Sequence, residues 1–279
     1  MNEDEVAFDG SSFLALKCIK RKYAELMVNQ GSIRFSLPQK WVNMDLNDGN
    51  RGQGDRFEGI FEVINNSNES KHKSLLRKYG NNLSYLAEGV FNYYRLLTTM
   101  QNPTYCFYTL KDTHLKGAKP IEGFQDFNIE IPKKLFLDFA TDSGIRCIED
   151  WRKTKEEEQP VLVVVRNTER FYMSLAQACK DLGIMRSSYL AHNIDYISIQ
   201  GSEFVCPKNH PQELFYKDIS FDYQCETRIV INSRKYRGME RDINIGPMQE
   251  YADIVEYDEI LNGVSVKLKA YFEPQKNKG

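Results

Sequence analysis

The sequence predicts an α+β fold of mixed, largely antiparallel sheets with a few packed helices. Three observations lead there. About seven to nine short strand patterns stand beside about three or four helical ones. They do not alternate regularly, as a doubly wound parallel sheet requires. The chain also lacks a GxxxxGK[ST] phosphate loop, a GxGxxG turn after a strand and a GxSxG elbow.

The elements follow in order. Phe13–Ile19 reads as a strand, and Lys20–Gln30 as a helix with Tyr23, Leu26 and Met27 at helical spacing. Gly31 is placed to end that helix. Residues 32–36 alternate Ile33 and Phe35 with Ser32, Arg34 and Ser36, a strand that Pro38 stops. Residues 47–54 are a polar loop delivering Asp55 and Glu58, candidates for carboxylate chemistry or for turn caps. Residues 60–64 read as a strand, and 65–70 as a turn. Leu75–Thr99 is mostly helical in pattern, with a break near Gly80. Thr104–Leu110 is an aromatic, β-branched strand. Residues 111–130 read as irregular, 131–141 as a short amphipathic helix and 153–159 as a solvated linker. Val161–Val165 is the most hydrophobic strand signal and is expected at a sheet centre. Residues 168–182 form a helix with Phe171, Leu175, Ala178 and Leu182 on one face. Strand patterns at 195–199, 252–257 and 264–272 close the chain, the last expected at an edge because of Lys267 and Lys269.

The 279 residues fit one domain spanning 1–279, with 1–11 and 274–279 expected to be disordered. Net charge is −2, from 37 basic and 39 acidic residues, so no overall basic bias points to nucleic acid. No apolar run reaches the roughly 18 residues of a membrane span. The acidic N-terminus has no signal-peptide core. Six dispersed cysteines without a CxxC pair suit a reducing cytoplasm and core packing. The four histidines show no metal-ligand spacing, and no metal is expected.

The most informative stretch is Phe221–Ile231, FDYQCETRIVI. In a strand, Gln224, Glu226 and Arg228 share one face. A carboxylate leading into a buried strand must be paired or used. Glu226 therefore either pairs internally with Arg228 or a neighbouring strand, or faces a pocket.

Two resemblances rest on these residues. The pieces FLALKCI, GSIRFSLPQKW, GDRFEG, YCFYTL, VLVVV with its helix and FYKDISFDYQCETRIVI resemble a family of uncharacterised bacterial proteins found near phage-defence and toxin genes. After YCFYTL this chain has KDTHLKGAKP where that family usually carries a tryptophan. The late strand opening with Gln-x-Glu, after a helix ended by glycine and a polar-faced strand, looks like the ADP-ribosyltransferase fold. That resemblance implies Glu226 as the catalytic carboxylate and Gln224 as its partner. It implies Ser36 or Ser32 at the polar position of the second strand, and NAD as substrate. Where the first strand usually offers Arg or His to NAD, this chain offers Lys17, and Arg34 is the cation on the neighbouring strand.

The expected function is an ADP-ribosyltransferase-like or otherwise NAD-consuming effector of bacterial antiviral defence or a toxin system. The alternative is a non-catalytic sensor or binding subunit of such a system. A third reading, a metal-dependent nuclease, uses Asp55, Glu58 and Glu62. A protein partner or a nucleic-acid acceptor is expected, without membrane association.

Overall fold

Glycine and proline punctuate the beginning of the chain as the sequence suggests. The computed structural model describes residues 12–48, 54–111, 123–130, 133–207, 210–263 and 265–272. Strand β1 (Ser12–Lys20) runs directly into helix α1 (Arg21–Gln30). Gly31 follows at φ 71°, and β2 (Ser32–Phe35) buries Ile33 and Phe35 while Arg34 points out. Pro38 stops β2 by opening a helix, α2 (Pro38–Asp48), which the sequence reading missed. Proline suits that first position because the missing N–H has no helical partner there. Then come β3 (Ile60–Asn65), α3 (Glu69–Tyr79), β4 (Leu83–Glu88), β5 (Phe91–Leu96) and the one-turn α4 (Leu97–Met100). β6 (Thr104–Lys111), β7 (Gly123–Glu130), α5 (Lys133–Asp142) and α6 (Ile148–Lys153) follow. β8 (Pro160–Val165) and α7 (Thr168–Asp181) lead to β9 (Tyr189–Asn193), β10 (Asp195–Ile197), β11 (Phe204–Val205) and β12 (Tyr216–Asp218). The chain ends with β13 (Glu226–Ile231), β14 (Arg241–Asn244), β15 (Ala252–Val255), α8 (Tyr257–Asn262) and β16 (Ser265–Phe272).

The expected α+β class is observed. Every strand pairing described is antiparallel except β10 with β12. The chain divides into two compact units, each assembled from separate stretches: 1–29, 109–171 and 247–279 in the first, 30–108 and 172–246 in the second.

In the first unit β8 lies between β1 and β15 and buries all six of its residues. Full burial is as expected from VLVVV, but the strand is second from the β15 edge of its sheet and not central. Helix α5 contributes Leu135, Phe136, Phe139 and Ala140 to the core. Cys18 is buried here with its Sγ 3.9 Å from the Leu135 carbonyl, and burial pushes its thiol up to about 12. It is a core residue, as its sequence surroundings suggested. β7 and β16 form an antiparallel pair, which replaces the irregular reading of 123–130. The expectations for residues 1–11, 49–53, 112–122 and 274–279 concern positions outside the described residues.

In the second unit β13 is flanked by β6 and β9, with Arg228 opposite Cys106 on one side and His192 on the other. A second sheet runs β11-β3-β5-β4. The helical reading of 75–99 is corrected here: α3 ends at Tyr79, and a hairpin turning at Gly89 and Val90 follows. Adjacent Tyr93 and Tyr94 point to opposite faces of β5, Tyr93 into a cluster with Phe57, Ile60 and Val63, Tyr94 into one with Phe61, Ile64 and Leu75. Apolar residues on both faces hide the period of two, so the run resembles a helix in sequence.

Gly31 is a position that no other residue fits. Its φ is positive, and a Cβ there would lie 2.0 Å from the Gly246 carbonyl oxygen. Gly31→Ala is expected to cost roughly 2 kcal/mol or more and to lower the melting temperature by about 4 °C or more. Thermal unfolding of the variant beside wild type checks this, and equal melting temperatures would refute the close approach.

Candidate functional site

The charged residues of β13, Glu226 and Arg228, sit at its start on one face, Thr227 lies between them, and Ile229-Val230-Ile231 completes the strand as an apolar run. Glu226 and Arg228 are two apart, and the Arg228 Nε donates to Glu226 Oε1 at 2.5 Å. This is the internal pair weighed from the sequence. Gln224 does not share the strand. It ends the 3-10 turn Ile219–Gln224, and Cys225 takes a left-handed φ of 44° before β13 begins. The period of two therefore starts at Glu226.

The guanidinium continues away from Glu226. Its Nη1 and Nη2 grip both oxygens of Glu58, Nη2 at 2.8 Å, and Nη1 also donates to the Leu214 carbonyl at 2.6 Å. The Trp41 ring centre lies 5.3 Å from the guanidinium carbon. Every face of Arg228 is thus engaged, at 1% exposure. The other oxygen of Glu226 accepts from Lys217 Nζ at 3.2 Å, and the same ammonium donates to Gln224 Oε1 at 2.7 Å. Lys217 also sits 4.6 Å from the centre of the Phe221 ring. The Glu226 N–H donates to the Tyr196 hydroxyl at 2.8 Å.

Asp55 and Arg95 complete the group, both buried. Asp55 Oδ1 accepts from the Phe57 N–H at 2.8 Å, while Oδ2 is buried without a partner. Arg95 Nη2 donates to the Arg56 carbonyl at 2.5 Å, and its Nε has no partner. The cluster balances three carboxylates, Asp55, Glu58 and Glu226, against three cations, Arg95, Lys217 and Arg228.

Burial and pairing pull these groups in different directions. Burial opposes the charge of Glu226, but Arg228 and Lys217 overcome it and hold the carboxyl well below its usual range. Burial also opposes the charge of Arg228, and Glu226 and Glu58 keep it firmly cationic. Asp55, with one oxygen unpartnered, is pushed up by burial, as is Glu58. Arg95 is pushed down by burial, with Asp55 and Glu58 opposing.

Of the residues singled out in sequence, the structure joins Glu226 and Gln224, through Lys217. Arg34 is 52% exposed and is held by Glu240 at 3.0 Å and Asp242 at 3.1 Å, so its guanidinium belongs to the β2–β14 pair. Ser36 forms a two-way backbone bridge with Thr104. Lys17 stands opposite Val163 in the first unit. Glu58 spends both oxygens on Arg228, and Glu62 pairs with Lys71 at 2.9 Å. Among the described residues no group of three or more His, Cys, Asp or Glu is placed to hold a metal ion. Sequence reasoning missed Lys217, Arg95 and Trp41. The available signal for Lys217 was a lysine closing the apolar run Leu214-Phe215-Tyr216.

A buried ion pair adds little over a well-packed apolar pair, but breaking it on one side is costly. Arg228→Met leaves Glu58 and Glu226 without their shared cation and is expected to destabilise by about 3–5 kcal/mol in urea unfolding. A loss under about 1 kcal/mol would mean the cluster does not hold the unit together. The pH dependence has a definite sign. The folded value of Glu226 lies below its ordinary 4.5, so its contribution is complete above that range and is lost as pH falls through the folded value. The stability gap between wild type and Glu226→Gln is therefore expected to be widest near neutral pH and to narrow toward about pH 3. Asp55 and Glu58 share Arg228 and Lys217 with Glu226, so the difference reports Glu226 together with its coupling to them. A gap that widens in acid would contradict the assignment. No family model, no curated protein and no solved structure matches this chain, and the functional reading rests on this geometry.

Proposed function

We propose that the chain is a non-catalytic binding subunit that works with a partner component in bacterial defence or a toxin–antitoxin system, in the cytoplasm. One observation carries this reading. Both oxygens of Glu226 are taken by cations of its own chain, at 6% side-chain exposure. A carboxylate that steadies positive charge on a sugar must turn its field toward the substrate. Here Arg228 and Lys217 absorb that field, and the group serves as an anchor for β13 and for the turn at Glu58.

The second reading, an NAD-consuming transferase or glycohydrolase, is favoured by a different observation. Gln224 and Glu226 meet on one ammonium, and the neighbouring Asp55 keeps one oxygen unpartnered. That arrangement supplies a polar pair and a spare acceptor beside it. In this reading Gln224 holds the acceptor and Glu226 faces the ribose of NAD, with Arg34 and Ser36 of the same unit as candidate contacts to the cofactor. No helix among the described residues is long and apolar enough to cross a membrane.

Purified wild type and Glu226→Gln are to be compared for NAD consumption and for thermal stabilisation by NAD. The binding-subunit reading expects no turnover and no shift from either protein. Turnover by wild type that disappears in the variant, with both still folded by circular dichroism, would overturn it and establish the transferase reading.

A further inference from the structure

The connection between β13 and β14 gathers cations that no carboxylate among the described residues pairs with. It carries Arg234, Lys235 and Arg237, and Arg241 opens β14. The loop is firmly built. Its Asn232 N–H donates to the Ser188 carbonyl at 2.8 Å, its Gly238 N–H to the Gln101 carbonyl at 2.8 Å, and the Tyr236 hydroxyl to the Leu182 carbonyl at 2.6 Å. The first of these bonds brings in the turn Arg186–Ser188, which adds the exposed Arg186.

Tyr236 is the buried anchor of the loop. The Arg241 guanidinium lies 4.1 Å from its ring centre and the Lys235 ammonium 4.9 Å. The Lys235 ammonium lowers the phenol from its usual value, against the opposing effect of burial, and Arg241 adds to it. Among the described residues, Arg186, Arg234, Lys235, Arg237 and Arg241 have no carboxylate within ion-pair distance. The two acids of the segment are already engaged: Arg34 holds Asp242, and Arg34 and Lys40 hold Glu240. The Nε atoms of Arg237 and Arg241 are buried without a partner. Five uncompensated cations therefore collect around one ordered loop, in a chain whose net charge is −2.

We propose that this loop binds the phosphate backbone of a nucleic acid without reading its sequence. Arginine presents a planar fork that fits phosphate oxygens, and clustered Arg and Lys supply sequence-independent affinity. The loop's one aromatic, Tyr236, is buried and leaves no exposed platform for base stacking. The charge is too local to appear in the composition, which is why the overall balance shows no basic bias. The inference supplies a partner class for the binding-subunit reading and rests on it for its biological setting. Its contacts lie outside the Glu226 cluster.

The test is fluorescence anisotropy of short single-stranded RNA, single-stranded DNA and duplex DNA with the full chain, from low to moderate salt. Wild type is expected to bind all three, with affinity falling steeply as salt rises. Arg186→Ala/Arg234→Ala/Lys235→Ala, built from exposed residues, is expected to keep the wild-type melting temperature and to bind about tenfold or more weakly. Its log–log salt slope is expected to shrink by about two to three, one unit or slightly less for each lost phosphate contact. A second variant, Arg234→Glu/Lys235→Glu, is expected to abolish binding. No binding by wild type at low salt overturns the proposal, as does binding that both variants retain. Equal binding of polyglutamate overturns it in favour of an acidic protein partner. NAD turnover is measured on the same preparations: turnover defeats the binding-subunit reading, whereas missing nucleic-acid affinity without turnover defeats this inference alone.

Discussion

The second unit is organised around the buried guanidinium of Arg228. One side chain ties together β13, the turn that carries Glu58, the backbone at Leu214 and the ring of Trp41. A planar group with five donors is suited to this, because it can satisfy several acceptors in fixed directions at once. Left incomplete, the same group would be a buried charge with unsatisfied donors, which is far more costly than an apolar residue of equal size. The cluster therefore works as a set, and its members are matched in number and sign.

This requirement extends to the backbone. The left-handed turn at Cys225 sets the strand so that Glu226 and Arg228 fall on the face that meets Lys217 and Glu58. A slip of one residue would turn both charges to the other face and bring Thr227, itself buried, to the face of Lys217 and Glu58. Register here is specified by charge as well as by the apolar run Ile229-Val230-Ile231, which is buried on both faces and so specifies register less sharply. The hypothesis that the cluster is kept for specificity more than for stability follows from the small net worth of buried ion pairs.

Charge is distributed unevenly elsewhere in the same unit. Glu226, Glu58 and Arg228 neutralise one another within their cluster, and Arg34 and Lys40 consume the acids at 240 and 242. The loop anchored by Tyr236 is left with cations facing solvent. Like charges held close destabilise a compact state, so an ordered loop of this kind is most stable with counter-charge bound to it. The near-neutral composition conceals both arrangements, since sums over a chain carry no information about position.

The sequence by itself determined the α+β class, the fully buried strand at 161–165, the glycine that ends the first helix, and the special standing of the Gln224–Arg228 segment. These are local signals: periodicity, β-branched runs and turn residues act between neighbours in the chain. It misread 83–96, because a hairpin with aromatics on both faces has no clean period of two. It paired Glu226 with Arg228 correctly as one option and marked Glu58 for other chemistry, but it contained nothing that joined Glu58 to Arg228. Those two residues are 170 positions apart, and Lys217 lay unremarked at the end of an apolar run. Only the tertiary structure decided which carboxylate meets which cation. Ion pairing falls off with distance in space, and sequence separation does not measure that distance.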